Sequence, residues 1–171
     1  KAAGGPEPAL APVNLSVARP EDFQELAGLF DKEFGRLDGF LHNASMLGDI
    51  TPMDRYGAGT WESVMQTNVN SAFYLTQAML PLLRASDDAR LLFTSSSVGR
   101  KGRAFWGAYA VSKAATENLA QVLAEELENT SNIRVNTLNP GGTRTDMRAL
   151  AYPGEDPQTL KTPADIMAPY P

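Results

Sequence analysis

A tyrosine and a lysine stand four residues apart in the stretch AYAVSKAAT, as Tyr109 and Lys113. On an α-helix this spacing places both side chains on one face, one turn apart. A phenol has a reference pKa near ~10, which is too high for efficient proton transfer at neutral pH. An ammonium group within about 4–6 Å favours the phenolate and lowers that pKa into a working range. The pair therefore fits either proton transfer or an ordinary solvated helix face.

A run of serines supports the chemical interpretation of this pair. The stretch ARLLFTSSS predicts a strand that ends in Ser95, Ser96 and Ser97, and a glycine-rich loop joins it to the helix of Tyr109. Reduction of a carbonyl leaves charge on its oxygen, which a phenol can protonate while a serine hydroxyl hydrogen-bonds the same atom. A serine hydrolase is not favoured, because the sequence has no GxSxG motif and His42 is its single histidine.

The composition excludes several other kinds of chemistry. The 171 residues include no cysteine, which excludes thiolate catalysis, disulfides and cysteine-bound zinc, and no cluster of carboxylates indicates a metal site. Fifteen Lys and Arg against twenty Asp and Glu give a net charge of -5, which disfavours nucleic acid and anionic membranes as partners. Because there is no apolar run of about 18 residues and no apolar signal-peptide core, we expect a cytoplasmic protein.

Helices and strands alternate along the chain. Apolar spacing predicts helices from Pro20 to Phe34, from Thr60 to about Arg84 and from Gly107 to Glu128. Thr60 is the expected N-cap of the second helix, and Pro81 should kink or end it. Short apolar runs predict strands in LDGFLHN, ARLLFTSSS and NIRVNTLNPGG. This order is typical of an α/β fold with a doubly wound parallel sheet and helices on both faces, so the three strand ends should share one edge.

Five motifs in this order resemble those of the short-chain dehydrogenase/reductase (SDR) family, and within it the bacterial YciK-type members. GRLDGFLHNAS resembles the family's GxxDxLVNNAG element, NVN its helix asparagine, FTSSSVG its serine strand, YAVSK its Tyr-x-x-x-Lys pair and NPGGTRTDM its Pro-Gly cofactor segment. The resemblance covers nearly the whole chain. It implies a Rossmann-like fold and an oxidoreductase that transfers hydride between a nicotinamide cofactor and a carbonyl or alcohol, with NADP favoured over NAD.

The resemblance also implies four catalytic residues. Tyr109 would be the general acid/base, Ser96 would position the substrate oxygen, and Lys113 would lower the pKa of the phenol and bind the nicotinamide ribose. Ser96 is the serine that fits the family pattern, because it stands three residues before Gly99 and thirteen before Tyr109. Asn68 would anchor a water that relays protons to Lys113; the alternative is that Asn68 satisfies a break in its helix.

The same resemblance implies a set of cofactor contacts. Adenine would contact the segment VNLSVARPEDF, and the adenosine ribose would contact the HNAS turn. The nicotinamide would contact the serine strand and the Pro-Gly segment. The residues so implied, besides Tyr109 and Lys113, are Asn14, Leu15, Asn43, Ala44, Ser45, Ser95, Pro140, Gly141, Thr143 and Thr145. The alternative for the last segment is a simple strand stop at Pro140 and Gly141.

The sequence departs from the family pattern at several points. His42 replaces an asparagine and is interpreted as a structural histidine, whereas Ser45 replaces a glycine and puts a hydroxyl near the adenosine ribose. The TGxxxGxG turn that holds pyrophosphate has no counterpart, since YGAGTWE follows a loop and lacks a third glycine. The family's last strand is missing too. Residues 1–171 are therefore expected to form a single but partial domain, cut at both ends.

Expectations about partners follow from the resemblance as well. The substrate would be a small carbonyl or alcohol, and the second and third helices would pair in a homodimer or homotetramer, unless their apolar residues are ordinary core. The cationic loop GRKGRAFWG borders the expected substrate pocket, so we hypothesise that Arg100 or Arg103 attracts an anionic substrate. The functional alternative is a non-catalytic module of this fold that acts in ligand sensing or assembly.

Overall fold

A computed structural model of the chain describes residue 8 and residues 10–168. Its sheet has three parallel strands, β1 (Gly39–His42), β2 (Ala89–Thr94) and β3 (Ile133–Leu138), in the order β1-β2-β3. Leu41 pairs with Leu92, and Leu91 with Val135. The three carboxyl ends therefore lie at one edge, as predicted. The expectation of a cut amino terminus falls on residues 1–7, which lie outside the described residues.

Six helices accompany these strands in the described part of the chain. They are α1 (Pro20–Phe34), α2 (Ala58–Met65), α3 (Ser71–Arg84), α4 (Ser97–Arg100), α5 (Gly107–Glu128) and α6 (Asp146–Ala151), with 3-10 turns at Met53–Arg55, Pro157–Thr159 and Ala164–Ile166. Helices α1 and α5 have the predicted bounds. Pro20 suits the first turn of α1, where its missing N–H breaks no helical hydrogen bond. Within residues 10–168, no helix has the length and apolar character needed to cross a membrane.

The second predicted helix differs from its prediction in two ways. It begins at Ala58, after the extended backbone of Gly57, so the expectation that Thr60 is the N-cap was wrong. Thr60 already lies inside the first turn. A π-helical turn at Gln66–Asn70 then separates α2 from α3. Pro81 lies inside α3, and the helix continues beyond this proline to Arg84.

The core lies between the sheet and helices α3 and α5. On one face of β2 the side chains Ala89, Leu91 and Phe93 are buried, and they pack with residues of the two helices, namely Ala72, Leu83, Ala120 and Leu127. Side chains alternate along a strand, so Leu92 points to the other face and is half-buried. Val122 of α5 lies outside this core and is 46% exposed. This packing fixes β2 against α5, which carry the serines and the Tyr-Lys pair.

Candidate active site

A cleft of about 670 Å³ lies at the carboxyl edge of the sheet. Its walls come from all three strand ends, from the start of α5 and from α6. Most of the predicted site residues line it: Asn43, Ala44, Ser45, Ser95, Ser96, Tyr109, Lys113, Pro140, Gly141, Thr143 and Thr145. The parallel register explains this convergence, because segments far apart in sequence leave neighbouring strands at the same edge.

Three predicted residues are not among those that line this cleft. Leu15 and Asn68 line a smaller cavity of about 80 Å³, which Lys113 also borders. The side-chain oxygen of Asn14 accepts hydrogen bonds from the amide and hydroxyl of Ser16, at 3.2 and 2.8 Å. Asn14 therefore shapes the turn before α1, and its contact with adenine stays a prediction.

Tyr109 and Lys113 are both buried on α5, with exposed fractions of 8% and 4%. Lys113 Nζ lies 5.6 Å from the centroid of the Tyr109 ring and donates a hydrogen bond to the carbonyl oxygen of Thr94 at 2.8 Å. Ser96 follows β2 and lines the same cleft, and its side chain acts to lower the pKa of the phenol. The structure thus brings together a phenol, an ammonium group and a hydroxyl in one cleft.

The pKa values of this pair depart from the expectation. Burial raises the pKa of Tyr109 above 10.0, and the hydrogen bond with Ser96 opposes burial only in part. Burial lowers the pKa of Lys113 from 10.5 to about 8. The expected net lowering of the phenol pKa is therefore wrong for this structure, because the loss of water around the phenolate outweighs the hydrogen bond with Ser96. At neutral pH the phenol therefore keeps its proton.

Asn68 joins the loop after β1 to α5. Its Oδ1 accepts a hydrogen bond from the Met46 amide at 2.7 Å, and its Nδ2 donates to the Met46 carbonyl and to the Ser112 hydroxyl, both at 2.9 Å. Both N–H groups are thereby used, so the buried side chain holds these segments together. The π-helical turn around it rearranges the local backbone hydrogen bonds, as often occurs at functional sites. The role of Asn68 in a proton relay stays a prediction.

Glu117 is a largely buried carboxylate that the sequence analysis missed. It accepts hydrogen bonds from the Ser95 hydroxyl, from Thr137 Oγ1 at 3.1 Å and from Arg100 Nε at 3.1 Å. Burial raises the pKa of Glu117, but these hydrogen bonds and the Arg100 charge outweigh burial and lower it. The available signal was its position four residues after Lys113, on the same face of α5. Glu117 ties the ends of β2 and β3 to α4 and α5.

The turns after β1 and β3 carry the remaining predicted contacts. Asn43 Oδ1 accepts a hydrogen bond from Thr94 Oγ1 at 2.9 Å, which links the ends of β1 and β2. Ser45 Oγ is buried with no hydrogen-bond partner among the described residues. Gly141 has a φ of 77°, a left-handed conformation that favours glycine. Thr145 Oγ1 accepts a hydrogen bond from the first turn of α6 at 3.2 Å and caps that helix.

His42 has the surroundings of a structural histidine. Its Nε2 lies 2.8 Å from Thr76 Oγ1, and its ring stacks on Phe93 with a centroid separation of 4.6 Å. Burial lowers the pKa of His42 from 6.5 to about 4, so the ring is neutral at physiological pH. Within residues 10–168, no group of three or more His, Asp or Glu side chains could hold a metal ion.

Besides the three strand ends, the cleft is lined by residues that the sequence analysis did not predict. They are Leu47, Trp106, Met147, Arg148, Ala151, Pro163, Ile166 and Met167. The ring of Trp106 lies beside that of Tyr109, with centroids 5.8 Å apart. Arg100 and Arg103 do not line the cleft: the first pairs with Glu117, and the second donates a hydrogen bond to the Tyr152 hydroxyl. The structure therefore does not support the hypothesis that either cation attracts an anionic substrate.

Comparison with known proteins identifies the class. The sequence profile described as short chain dehydrogenase matches residues 2–156, and the chain belongs to this family. It is similar to the protein of Escherichia coli K12 named uncharacterized oxidoreductase YciK, with 56% identity over 166 residues that cover 97% of this chain and 65% of that protein. A 3-oxoacyl-(acyl-carrier-protein) reductase FabG from Vibrio cholerae is 32% identical over 155 residues, which cover 90% of this chain and 61% of the relative.

Comparison with solved structures identifies the same family. A short chain dehydrogenase from Escherichia coli CFT073, crystallised with NADPH, has a TM-score of 0.90 and 58% identity, and the match covers 92% of this chain and 65% of the other. The resemblance to the SDR family and its YciK-type members is thereby confirmed, as is the Rossmann-like parallel fold. The chain spans 65% of the length of the YciK relative.

Proposed function

We propose that this chain belongs to an NADP-dependent oxidoreductase that converts a carbonyl to an alcohol, or the reverse, with Tyr109 as general acid/base. The observation that carries the proposal is the convergence of the Tyr109 phenol, the Ser96 hydroxyl and the Lys113 ammonium group in one cleft. The names of similar proteins support it, since they include an oxidoreductase, a reductase and a dehydrogenase crystallised with NADPH.

The polar groups of the cleft fit a dinucleotide. The buried Ser45 hydroxyl has no partner among the described residues, and Lys113 Nζ has three N–H donors, one of which goes to the Thr94 carbonyl. A Cβ placed on Gly141 would meet nothing within 4 Å, so the Pro-Gly segment leaves room for a ligand. In this assignment Asn43 and Ser45 contact the adenosine, and Tyr109 and Lys113 contact the nicotinamide ribose. Ser95, Thr143 and Thr145 contact the nicotinamide.

The chain's own residues perform the proton transfer. When bound, the reduced nicotinamide supplies a hydride to the carbonyl carbon. The electron pair of the C=O bond moves to the oxygen, and Tyr109 donates its proton to that oxygen, which leaves the alcohol and a phenolate. Ser96 holds the oxygen beside the phenol. Because burial raises the pKa of Tyr109, the phenol is protonated at neutral pH. Reduction of a carbonyl requires this protonated form as its proton donor.

Lys113 has two tasks in this scheme. Its positive charge stabilises the phenolate that forms when Tyr109 gives up its proton. With a pKa of about 8, it also exchanges protons with water close to neutral pH. Lys113 borders both the cleft and the smaller cavity lined by Asn68, so a proton returning to Tyr109 can arrive from that side. No observation on the described residues favours the non-catalytic alternative.

The test is the consumption of NADPH by the full-length protein, followed by nicotinamide absorbance over a panel of aldehydes and ketones. We expect oxidation that depends on the carbonyl and is faster with NADPH than with NADH. Ester cleavage serves as the control for a hydrolase and should be absent. If the folded protein binds NADPH but does not oxidise it in the presence of any carbonyl of the panel, the sensing or assembly alternative would replace this proposal.

A further inference from the structure

The substrate end of the cleft is apolar. Its walls beyond the phenol, here called the apolar wall, are Leu47, Trp106, Met147 and Ala151. Trp106 is 9% exposed, and its ring centroid lies 5.8 Å from that of Tyr109 and 5.6 Å from that of Tyr152. Within the described residues, no Asp or Glu lines the cleft. A substrate group placed here is removed from water, which favours an uncharged, apolar group.

Among the described residues, two cationic side chains line the cleft, Lys113 and Arg148. Lys113 belongs to the proposed proton transfer. Arg148 lies on α6, and its guanidinium carbon is 3.8 Å from the centroid of the Tyr152 ring, which in turn lies against Trp106. Arg103 also lies near the Trp106 ring, at 5.9 Å from its centroid, but of these two arginines Arg148 is the one that lines the cleft. A guanidinium in such a place would ordinarily bind a substrate carboxylate through two parallel hydrogen bonds.

Arg148 already holds a carboxylate that belongs to the chain itself. Its Nε donates to Glu155 Oε2 and its Nη2 donates to Glu155 Oε1, both at 2.6 Å. The hydrogen bonds hold the pKa of Glu155 below its ordinary value and that of Arg148 above it, so both groups are charged at neutral pH. The Nε–Nη2 edge of Arg148 is thus occupied from within, and its charge is balanced by Glu155.

We infer that Glu155 is a specificity-determining residue: it occupies Arg148, so that the cleft accepts uncharged apolar carbonyl compounds and rejects those that carry a carboxylate. This inference rests on the proposed function. An anionic substrate would have to displace this bidentate partner, or bind a guanidinium whose charge Glu155 already balances. In either case it would lose water against the apolar wall and lie near the Glu155 carboxylate. An uncharged aryl or alkyl carbonyl meets none of these costs.

The test compares p-tolualdehyde with p-formylbenzoate, which share a ring and an aldehyde but differ in charge, using the full-length protein and NADPH. We expect the wild-type protein to prefer p-tolualdehyde by about 10-fold or more in kcat/KM. Glu155→Gln frees the guanidinium and should raise kcat/KM for p-formylbenzoate by about 10-fold, with less than about twofold change for p-tolualdehyde. Adding Arg148→Gln to this variant should abolish the gain.

Asp156→Asn is the matched control. It removes the same charge from the neighbouring residue, and asparagine can keep the side-chain hydrogen bond that Asp156 accepts from the Gln158 amide. This variant should leave the preference within about twofold of wild type. A wild-type preference for p-formylbenzoate, or an unchanged preference in Glu155→Gln, would overturn the inference and leave the oxidoreductase standing. Absence of turnover with every carbonyl would overturn the proposed function, and the inference with it.

Inhibition of the wild-type protein gives a second measurement that needs no folded variant. We expect p-toluamide to inhibit the reduction of p-tolualdehyde, because it is uncharged and fits the apolar wall. The carboxylate p-toluate should inhibit at least about 10-fold more weakly. Equal inhibition by the two compounds would show that the occupied Arg148 does not exclude a carboxylate, and the inference would fail.

Discussion

Burial of Lys113 works against stability at neutral pH. The side chain is 4% exposed, and burial lowers its pKa from 10.5 to about 8. Between these two values the unfolded chain binds a proton that the folded protein does not, so the free energy of unfolding increases as pH rises through this range. Below pH 8 the full cost of the buried charge is present. The proposed task of Lys113 in proton transfer accounts for a charge at this place.

We therefore expect Lys113→Met to stabilise the fold while it removes activity. Methionine fills a similar volume without a charge, so the free energy of unfolding at neutral pH should rise by about 1–3 kcal/mol. The gain should shrink as pH approaches 10.5, and carbonyl reduction should fall by about 100-fold or more. Urea unfolding at neutral and alkaline pH measures the change in stability, and NADPH consumption measures the change in activity. A destabilised variant, or a gain that does not change with pH, would disagree with this account.

The convergence of Ser96, Tyr109 and Lys113 in one cleft could be predicted from sequence, but their energetics could not. Motif spacing selects Ser96, Tyr109 and Lys113, and parallel register brings them to one edge of the sheet. The direction of the Tyr109 pKa depends on how deeply the ring is buried, which includes packing by Trp106. Spacing alone suggested only the opposing effect of a nearby cation.

At the scale of elements, α4 lies against α5 at one glycine. A Cβ placed on Gly99 would lie 2.8 Å from the carbonyl carbon and oxygen of Lys113, closer than such atoms approach in proteins. Ser96 directly precedes α4. The close approach therefore sets the distance between the serine and the helix that carries Tyr109.

Gly99→Ala should push α4 and Ser96 away from α5. We expect a loss of about 1–3 kcal/mol in the free energy of unfolding and a fall of about 10-fold or more in carbonyl reduction. Gly28→Ala in α1 is the control, because a Cβ there meets nothing within 4 Å. This change should raise the free energy of unfolding by about 0.5–1 kcal/mol. Chemical unfolding and turnover of both variants test this. If Gly99→Ala keeps full stability and turnover, the glycine contact does not position Ser96.

The elements themselves were predictable to different degrees. The bounds of α1 and α5 follow from apolar spacing and flanking glycines. The π-helical turn does not, because it accompanies the hydrogen bonds from Asn68 to Met46 and Ser112, which are distant in sequence. The pairing of Arg148 with Glu155 was equally hidden, since it forms only after the chain turns back past α6. Polar contacts of this kind leave no periodic signal in a sequence.

At the scale of the whole molecule, helices α3 and α5 present apolar side chains to solvent. Phe73, Val111 and Val122 are 44%, 43% and 46% exposed. The predicted homodimer or homotetramer would bury such positions. We expect Val111→Glu to lower the sedimentation coefficient of the full-length protein to that of a smaller species, because a charge in an apolar interface is costly. Leu29→Glu on α1, 60% exposed, should leave it unchanged. Wild-type protein that sediments as a monomer would refute the prediction.

The most direct test of the central claim is the turnover of Tyr109→Phe in the full-length protein, measured together with the affinity for NADPH. The substitution removes one oxygen atom and keeps the buried ring against Trp106. We expect kcat for carbonyl reduction to fall by about 100 to 10,000-fold, while the Kd for NADPH changes by less than about threefold. A variant that binds NADPH and reduces carbonyls at the wild-type rate would contradict the assignment of Tyr109 as the proton donor.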